Sequence, residues 1–371
     1  MNRRGFMIIH NFRPGPTGGA ELQAERLAIK LVELGHPIQI LTRRTVPDAP
    51  LEENYKGVKI HRSSFPLAYQ ITTGVENTFK YLVKNRKSYD IIHSHMAFGH
   101  AVVAAVVARA FNKKCIIKVA CLGEYGDLGI FSKFDRFNWA LEILHQADAM
   151  VAISRDVEED LLKWGFSQNR IYRIPNGVDT HFFRPNRSFR RQDPLCFLLM
   201  GRRHPQKGID TALHAVRILK SKKLSHQFKI KFYGADYPEH DYEQMANQLD
   251  VSEYVEFYPF NHNVLDIYHN SHCLILPSRG EGLSNSLLES MATELPAIAS
   301  RVSGTIDVIC DGEDGILIPL ESPEALADAM MAIINNPGIA INLGQNARKK
   351  MISCFSLVSV ARQYSDLYNN L

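Results

Sequence analysis

Three stretches of this 371-residue sequence combine charged side chains with glycines in spacings that suit an anionic ligand rich in hydroxyls. Leu199-Met-Gly-Arg-Arg-His-Pro-Gln-Lys-Gly208 offers Arg202 and Lys207. A guanidinium and an ammonium converging there can neutralise a diphosphate without a metal. Pro277-Ser-Arg-Gly-Glu-Gly-Leu-Ser-Asn-Ser-Leu-Leu-Glu289 sets Glu281 and Glu289 eight positions apart. Gly282, Leu283, Ser284 and Asn285 form a loop that opens a helix at about Ser286. Amides at a helix start suit a phosphate, and carboxylates accept hydrogen bonds from sugar hydroxyls. The third stretch, Arg13-Pro-Gly-Pro-Thr-Gly-Gly-Ala-Glu21, places Gly18 and Gly19 where backbone can approach an anion closely. It is not a GxGxxG loop, which disfavours a dinucleotide. Each signal has an ordinary counterpart: a steric turn, solvated loop cations, or acids that merely complement a helix dipole.

Two other groups invite chemistry. His93, His95 and His100 are close enough for a metal, and His93 and His95 share a strand face. Such histidines more often fill a core, and no Asp-x-Asp sits at a strand end to hold a metal–diphosphate complex. Glu76–Tyr89 interleaves Phe79, Tyr81 and Leu82 with Lys80, Lys84, Arg86 and Lys87. It reads as an amphipathic helix that either docks on anionic lipid or, as expected here, packs its apolar side on a sheet.

The elements that must position these groups alternate short apolar runs with helical patterns. Strands are predicted at Phe6–His10, Pro37–Thr42, Asp90–His93, Cys115–Val119, Ala149–Ile153 and Ile171–Ile174. Further strands follow at Cys196–Met200, Lys229–Tyr233, Tyr254–Phe257, Cys273–Leu276 and Ala297–Ala299. Helices are predicted at Glu21–Leu34, Val102–Ala110, Ile209–Lys220, Asp241–Leu249, Leu287–Met291, Pro323–Ile334 and Ser356–Leu371. Continuous apolar strands between helices imply α/β architecture with parallel sheets covered on both faces. In such folds ligands sit at the carboxyl ends of strands, and the three motifs follow strands. The basic stretch Phe183–Pro194 is the linker candidate. Two doubly wound Rossmann-like domains facing across a cleft are therefore expected at 1–185 and 186–355, with a helix at 356–371.

Composition narrows the class. A 45% hydrophobic and 22% charged chain is globular, not disordered or collagenous. Cys115, Cys121, Cys196, Cys273, Cys310 and Cys354 are scattered without CxxC pairing, which argues against a disulfide scaffold or structural zinc and for a reducing compartment. The basic start is followed by too short an apolar run for a signal peptide, so a cytoplasmic chain is expected. Residues 1–187 carry 26 Lys and Arg against 18 Asp and Glu, and the remainder 17 against 21. A basic first half suits an acidic partner, either a phosphorylated acceptor or the inner face of a membrane, although a solvated face has the same composition. No nucleic-acid partner is expected.

The sequence resembles the retaining glycosyltransferases of family 4, which have the GT-B architecture. GRRHPQKG, YGA at 233–235, ILPSRGEGLSNSLLESMA with its E-x7-E spacing, and DGEDGILIP carry the likeness in the second half. GGAE, DIIHSH, ADAMVAIS and IPNGVD carry it in the first. The resemblance implies a metal-independent transfer from a nucleotide-diphosphate sugar, UDP- or GDP-linked, to a hydroxyl of a saccharide, lipid-linked or small-molecule acceptor. Surface polysaccharide or glycolipid assembly is the implied setting. Arg202 and Lys207 would bind the diphosphate and Glu289 the ribose. Glu281 would contact the transferred sugar beside the amides of Leu283 and Ser284, and Gly18 and Gly19 would approach the phosphates. Glu281, Arg202 and Lys207 are the catalytic expectation, and no cofactor is implied.

Two departures stand out. Many members have His-Gly after the fourth strand of the first domain, whereas this chain has Ile117-Lys-Val-Ala-Cys-Leu-Gly-Glu-Tyr-Gly-Asp127. Lys118, Glu124 and Asp127 are open alternatives there, with His95 a further acceptor-side candidate. Glu294 stands where the family commonly has glycine. A nucleotide-sugar epimerase and a non-catalytic nucleotide-sugar-binding or membrane-docking module are the competing functions.

Overall fold

The computed structural model describes residues 2–15, 18–68, 74–121, 123, 126–186, 194–222, 228–237, 239–261 and 263–371. The first part of the chain runs β1 (Gly5–Ile8), α1 (Gly19–Glu33), β2 (Ile38–Arg43), β3 (Glu52–Tyr55), β4 (Val58–Ser63), α2 (Val75–Lys84) and β5 (Ile91–His95). It continues with α3 (Gly99–Ala110), β6 (Lys114–Val119), α4 (Asp127–Phe131), α5 (Phe137–Leu144), β7 (Ala149–Ala152), α6 (Arg155–Lys163) and β8 (Ile171–Arg173). Next come β9 (Leu195–Met200), α7 (Ile209–Ser221), β10 (Phe228–Tyr233), α8 (Tyr242–Gln248), β11 (Val255–Tyr258), α9 (Val264–His269) and β12 (Cys273–Leu276). The rest comprises α10 (Asn285–Ala292), β13 (Ala297–Ser300), α11 (Ser303–Ile306), β14 (Ile316–Ile318), α12 (Pro323–Asn335), α13 (Pro337–Ser353) and α14 (Leu357–Asn370).

Two compact units result: Met1–Gly177 with Leu357–Leu371, and Val178–Ser356. The division falls before the 185/186 boundary expected from the basic stretch, because residues 178–186 are tied into the second unit. Phe183 is buried against Tyr268, and the Arg348 guanidinium donates to the carbonyls of Thr180 (2.8 Å) and Phe183. Residues 187–193 of the expected linker lie outside the described residues.

The first unit carries a sheet ordered β3-β4-β2-β1-β5-β6-β7-β8, parallel except for the β3–β4 hairpin at its edge. Lys56 and Gly57, both at positive φ, make its two-residue turn. Glu-Glu-Asn-Tyr is a charged edge strand that discourages pairing with another chain. Helix α2 ends at Lys84, short of the expected Tyr89. That tyrosine is fully buried instead, and its hydroxyl donates to Leu82 O. Phe79 and Lys80 face solvent while Thr78 and Leu82 pack inward. Helix α14 lays Val360, Ala361, Tyr364, Leu367 and Tyr368 into the core of this unit. Each large apolar side chain so buried stabilises by about 1.5–3 kcal/mol. Tyr368 also bonds His93 Nδ1 (3.0 Å), and Gly5 is required beneath it because a Cβ there would come within 2.9 Å of the Tyr368 ring.

The second unit carries a wholly parallel sheet ordered β11-β10-β9-β12-β13-β14. Its central strands Leu-Cys-Phe-Leu-Leu-Met and Cys-Leu-Ile-Leu are buried almost throughout, as strands covered on both faces must be. Strand β10 alternates instead: Phe228, Ile230 and Phe232 are buried while Lys229, Lys231 and Tyr233 are half-exposed. One face of this strand is therefore open.

Candidate functional site

The strand order places the site. In the second unit the chain winds from β9 outward through β10 to β11, then returns to β12 on the other side of β9 and winds outward again. The carboxyl ends of β9 and β12 therefore flank the topological switch point, where helices leave in opposite directions and a crevice opens. The loop after β9 carries Arg202 and Lys207, and the loop after β12 carries Glu281.

These loops touch through backbone at positions that only glycine can fill. Gly208 sits at φ 64°, and a Cβ there would lie 1.9 Å from Pro277 O. The chain can consequently cross close beneath the β12 loop and bring Lys207 alongside it. Lys207 Nζ donates to Glu281 Oε1 at 2.6 Å, and Ser278 Oγ donates to the same oxygen at 2.8 Å. Both charged side chains are largely buried, at 19% and 10% exposure. Arg202, in the same loop, is exposed, and its guanidinium has no hydrogen bond or ion pair among the described residues. The site thus presents one internally balanced ion pair and one open cation.

Helix α10 begins at Asn285, one residue before the expected start. Ser284 is its N-cap in extended conformation, its side chain makes no capping hydrogen bond, and its Oγ contacts Ser286 Oγ at 3.0 Å. Gly282, Leu283 and Ser284 are buried at the mouth of the helix. Backbone closes on them from α11: Gly304 N donates to Glu281 O at 3.2 Å, and a Cβ on Gly304 would meet Gly282 O at 2.3 Å. Glu289, inside α10, is 6% exposed, and Tyr268 Oη on α9 donates to its Oε2 at 3.0 Å. The structure therefore brings Arg202, Lys207, Gly282, Leu283, Ser284, Asn285, Glu281 and Glu289 to one end of one sheet. Chemically, this end offers cations and amides for an anion and carboxylates for hydroxyls.

Gly18 and Gly19 belong to the first unit. Gly18 caps α1, its N–H donating to Glu21 Oε2 at 2.9 Å, and Gly19 opens the helix. This unit has its own switch point, between β1 and β5. His95 ends β5 and is 1% exposed, its ring stacked on His93 (4.4 Å between centroids). Burial pushes the pKa of His95 well below the ordinary value, and that of His93 down to about 3. His100 is likewise buried, with its ring nitrogens facing the carbonyls of His95 and Ala68. Among the described residues no group of three His, Cys, Asp or Glu is arranged to hold a metal.

Asp127 opens α4, 4% exposed. Its Oδ2 accepts from Ala97 N and Ala120 N, both at 3.2 Å, so one carboxyl ties the loops after β5 and β6. Burial raises its pKa to about 7 against the opposing pull of those amides. Lys118, the register partner of His95, donates to Asn176 Oδ1 at 2.9 Å, and burial lowers its pKa to about 8. Lys118 and Asp127 thus face inward. Glu124 lies outside the described residues. In the β5–α3 turn, Met96 alone is not fully buried, and it sits at φ 75°.

Reading by residue type missed Arg279, Ser278 and Tyr268. Serine, tyrosine and a second arginine in a loop carry no signal of direction, and only the fold turns Ser278 toward Glu281, Tyr268 toward Glu289 and Arg279 toward Asp210 and Glu321.

Comparison with known proteins bears on both units. The model described as Glycosyltransferase Family 4 matches residues 17–182, and the one described as Glycosyl transferases group 1 matches residues 183–350. An uncharacterized glycosyltransferase of Methanocaldococcus jannaschii is 26% identical, with 90% of this chain and 89% of the relative aligned. Sucrose-phosphate synthase from Thermosynechococcus elongatus superposes with a TM-score of 0.85 over 99% of both chains, at 21% identity. The Anabaena protein HepE, solved in complex with UDP-glucose, superposes with a TM-score of 0.81 over 100% of both chains, at 17% identity. At those identities the structural likenesses carry the fold: two Rossmann-like α/β units of the kind found in GT-B glycosyltransferases.

Proposed function

The chain belongs to glycosyltransferase family 4, and from that premise we propose that its second unit binds a nucleotide-diphosphate sugar at the β9–β12 switch point and releases the sugar to an acceptor hydroxyl with retention of configuration. The observation that carries this reading is the Lys207–Glu281 pair at 2.6 Å beside the open Arg202. An arriving diphosphate draws the Lys207 ammonium toward its oxygens and meets Arg202. The Glu281 carboxylate is then released to accept hydroxyls of the transferred sugar. Glu289, oriented by Tyr268, accepts the ribose hydroxyls.

In the reaction the bond between the anomeric carbon and the diphosphate oxygen lengthens, and negative charge grows on the leaving group. Arg202, Lys207 and the backbone around Leu283 and Ser284 stabilise that charge, the kind of preorganised electrostatic effect that usually dominates catalysis. The acceptor oxygen attacks from the face the diphosphate leaves, and its proton passes to a diphosphate oxygen. This route needs no protein base, consistent with a first unit that lacks the usual histidine. UDP, as in the complex of the Anabaena relative, is the first nucleotide to test. The acceptor is a saccharide, lipid-linked or small-molecule hydroxyl, and the Lys and Arg excess of residues 1–187 favours one bearing acidic groups. Surface polysaccharide or glycolipid assembly fits these requirements. Among the described residues no helix is long and apolar enough to cross a membrane.

Calorimetric titration with UDP and GDP tests the site. Lys207→Ala is expected to weaken binding on the order of tenfold to a hundredfold, the loss of one charge-assisted contact. Glu281→Ala is expected to retain the nucleotide and lose transfer. Unchanged nucleotide affinity in an Arg202→Ala, Lys207→Ala double variant removes the assignment.

A further inference from the structure

Arg279 lies in the same Gly-rich loop as Glu281, where composition alone makes it another cation for a phosphate. Its surroundings assign it differently. Nε donates to Glu321 Oε1 at 2.6 Å. Nη1 donates to Pro205 O at 2.6 Å and to Asp210 Oδ1 at 3.0 Å, and Nη2 donates to Asp210 Oδ2 at 2.6 Å. Hydrogen bonding to Asp210 and Glu321 drives its pKa further up and holds that of Asp210 down. Every nitrogen is engaged and the charge is matched by carboxylates on two elements, so this guanidinium is not available to a ligand.

The bonds connect three segments. Pro205 precedes Lys207 in the β9 loop, Asp210 opens α7 just beyond it, and Glu321 sits at φ 52° in the turn between β14 and α12. Backbone completes the join: Arg279 N donates to Gln206 O at 2.8 Å, and Gln206 Nε2 returns a bond to Gly280 O at 2.8 Å. The flanking residues Gln206 and Gly280 are thus fixed to each other, and their neighbours Lys207 and Glu281 meet at 2.6 Å.

We propose that Arg279 is a positioning residue for the donor site: a clasp that holds the β9 and β12 loops in the one register that places Lys207 against Glu281. The proposal rests on the diphosphate-binding reading of that pair. A planar fork is what the geometry demands, since a lysine can meet one carboxylate but cannot bridge Asp210, Glu321 and Pro205 together.

The test is UDP and GDP titration of the intact chain together with its unfolding midpoint. Arg279→Ala is expected to weaken nucleotide binding on the order of tenfold to a hundredfold, the range seen when the support of a binding group is removed. Arg279→Lys should recover part of the loss. Asp210→Ala should weaken binding similarly, and the double variant Arg279→Ala, Asp210→Ala should bind no worse than the weaker single variant, because both lesions open the same clasp. Arg301→Ala, which breaks the exposed pair with Asp311 elsewhere in the unit, controls for loss of a surface ion pair and should leave affinity unchanged. Wild-type affinity in Arg279→Ala, or a loss in Arg279→Ala that matches Arg301→Ala, overturns the clasp while leaving the donor reading intact. A wild-type chain that binds neither UDP nor GDP overturns the donor reading, and the clasp with it.

Discussion

Replacing Asp127 with asparagine should change the stability of the first unit in a way that depends on pH. The carboxyl is buried, and its pKa moves from 3.8 to about 7 on folding, burial being the largest cause. Because the folded value lies above the unfolded one, the group's stabilising contribution is complete below the unfolded pKa and is lost as pH rises through about 7. A shift of roughly three units corresponds to about 4 kcal/mol when fully expressed. Between pH values near 5 and near 7 the linkage relation leaves about 2 kcal/mol of that change, below the range in which Lys118 titrates. Asparagine keeps an oxygen for the amides of Ala97 and Ala120 and adds an NH2 whose burial costs about 1–3 kcal/mol at any pH. The expected signature is therefore a slope rather than an offset: relative to wild type, Asp127→Asn gains about 2 kcal/mol from pH 5 to pH 7. Both tryptophans, Trp139 and Trp164, lie in this unit, so urea titration followed by tryptophan fluorescence reports on it alone. A stability gap that is identical at the two pH values refutes the reasoning. A gap that moves the other way shows that the two amides outweigh burial and hold the group ionised.

Three further substitutions probe the second unit, with calorimetry as the readout because it contains no tryptophan. Gly208→Ala should cost more than the 1–2 kcal/mol or so of a left-handed alanine, since its Cβ would also strike Pro277 O. Gly312→Ala, at φ 77° with open space around it, should cost only the conformational part, and equal losses at the two sites would discredit the close approach. Glu294→Gly should stabilise by about 0.5–1 kcal/mol, because relief at φ 64° exceeds the entropy a glycine forfeits on folding. A lower melting point in that variant would mean that the side chain contributes more than its backbone strain costs.

Much of the fold was legible because buried parallel strands have a plain signature. Cys273–Leu276 is an uninterrupted apolar run bounded by loops, and the strand occupies those residues. What escaped lacks that signature. Glu52–Tyr55 is an edge strand held by backbone pairing to β4, with side chains that belong equally to a loop. Helix α13 buries only Leu343, Gly344, Ala347 and Met351 along Pro337–Ser353, too thin a stripe to stand out. Tyr89 was assigned to a helix by its place in a periodic pattern, yet the chain turns after Lys84 and sends it into the core. Glu294 is the converse case. It stands where the family commonly has glycine, and it follows the end of α10 in left-handed conformation while Leu295 N closes on Ser290 O.

The site shows where reading by residue type stops. Arg202 and Arg279 are indistinguishable in one dimension, each an arginine in a Gly-rich loop directly after a buried strand. Their difference arises from the switch in strand order. By seating β12 beside β9, the fold lays the Arg279 loop across the start of α7, where Asp210 meets the guanidinium, and the β14–α12 turn adds Glu321. Arg202 follows β9, is exposed, and meets no acid among the described residues. A guanidinium with matched carboxylates gains little from a phosphate, because the new contacts must replace existing ones. An open one gains the whole interaction. Under the proposed function, the distribution of acids around two similar cations, set by topology rather than by motif, leaves Arg202 as the cation open to a ligand and Arg279 as the one that ties the loops together.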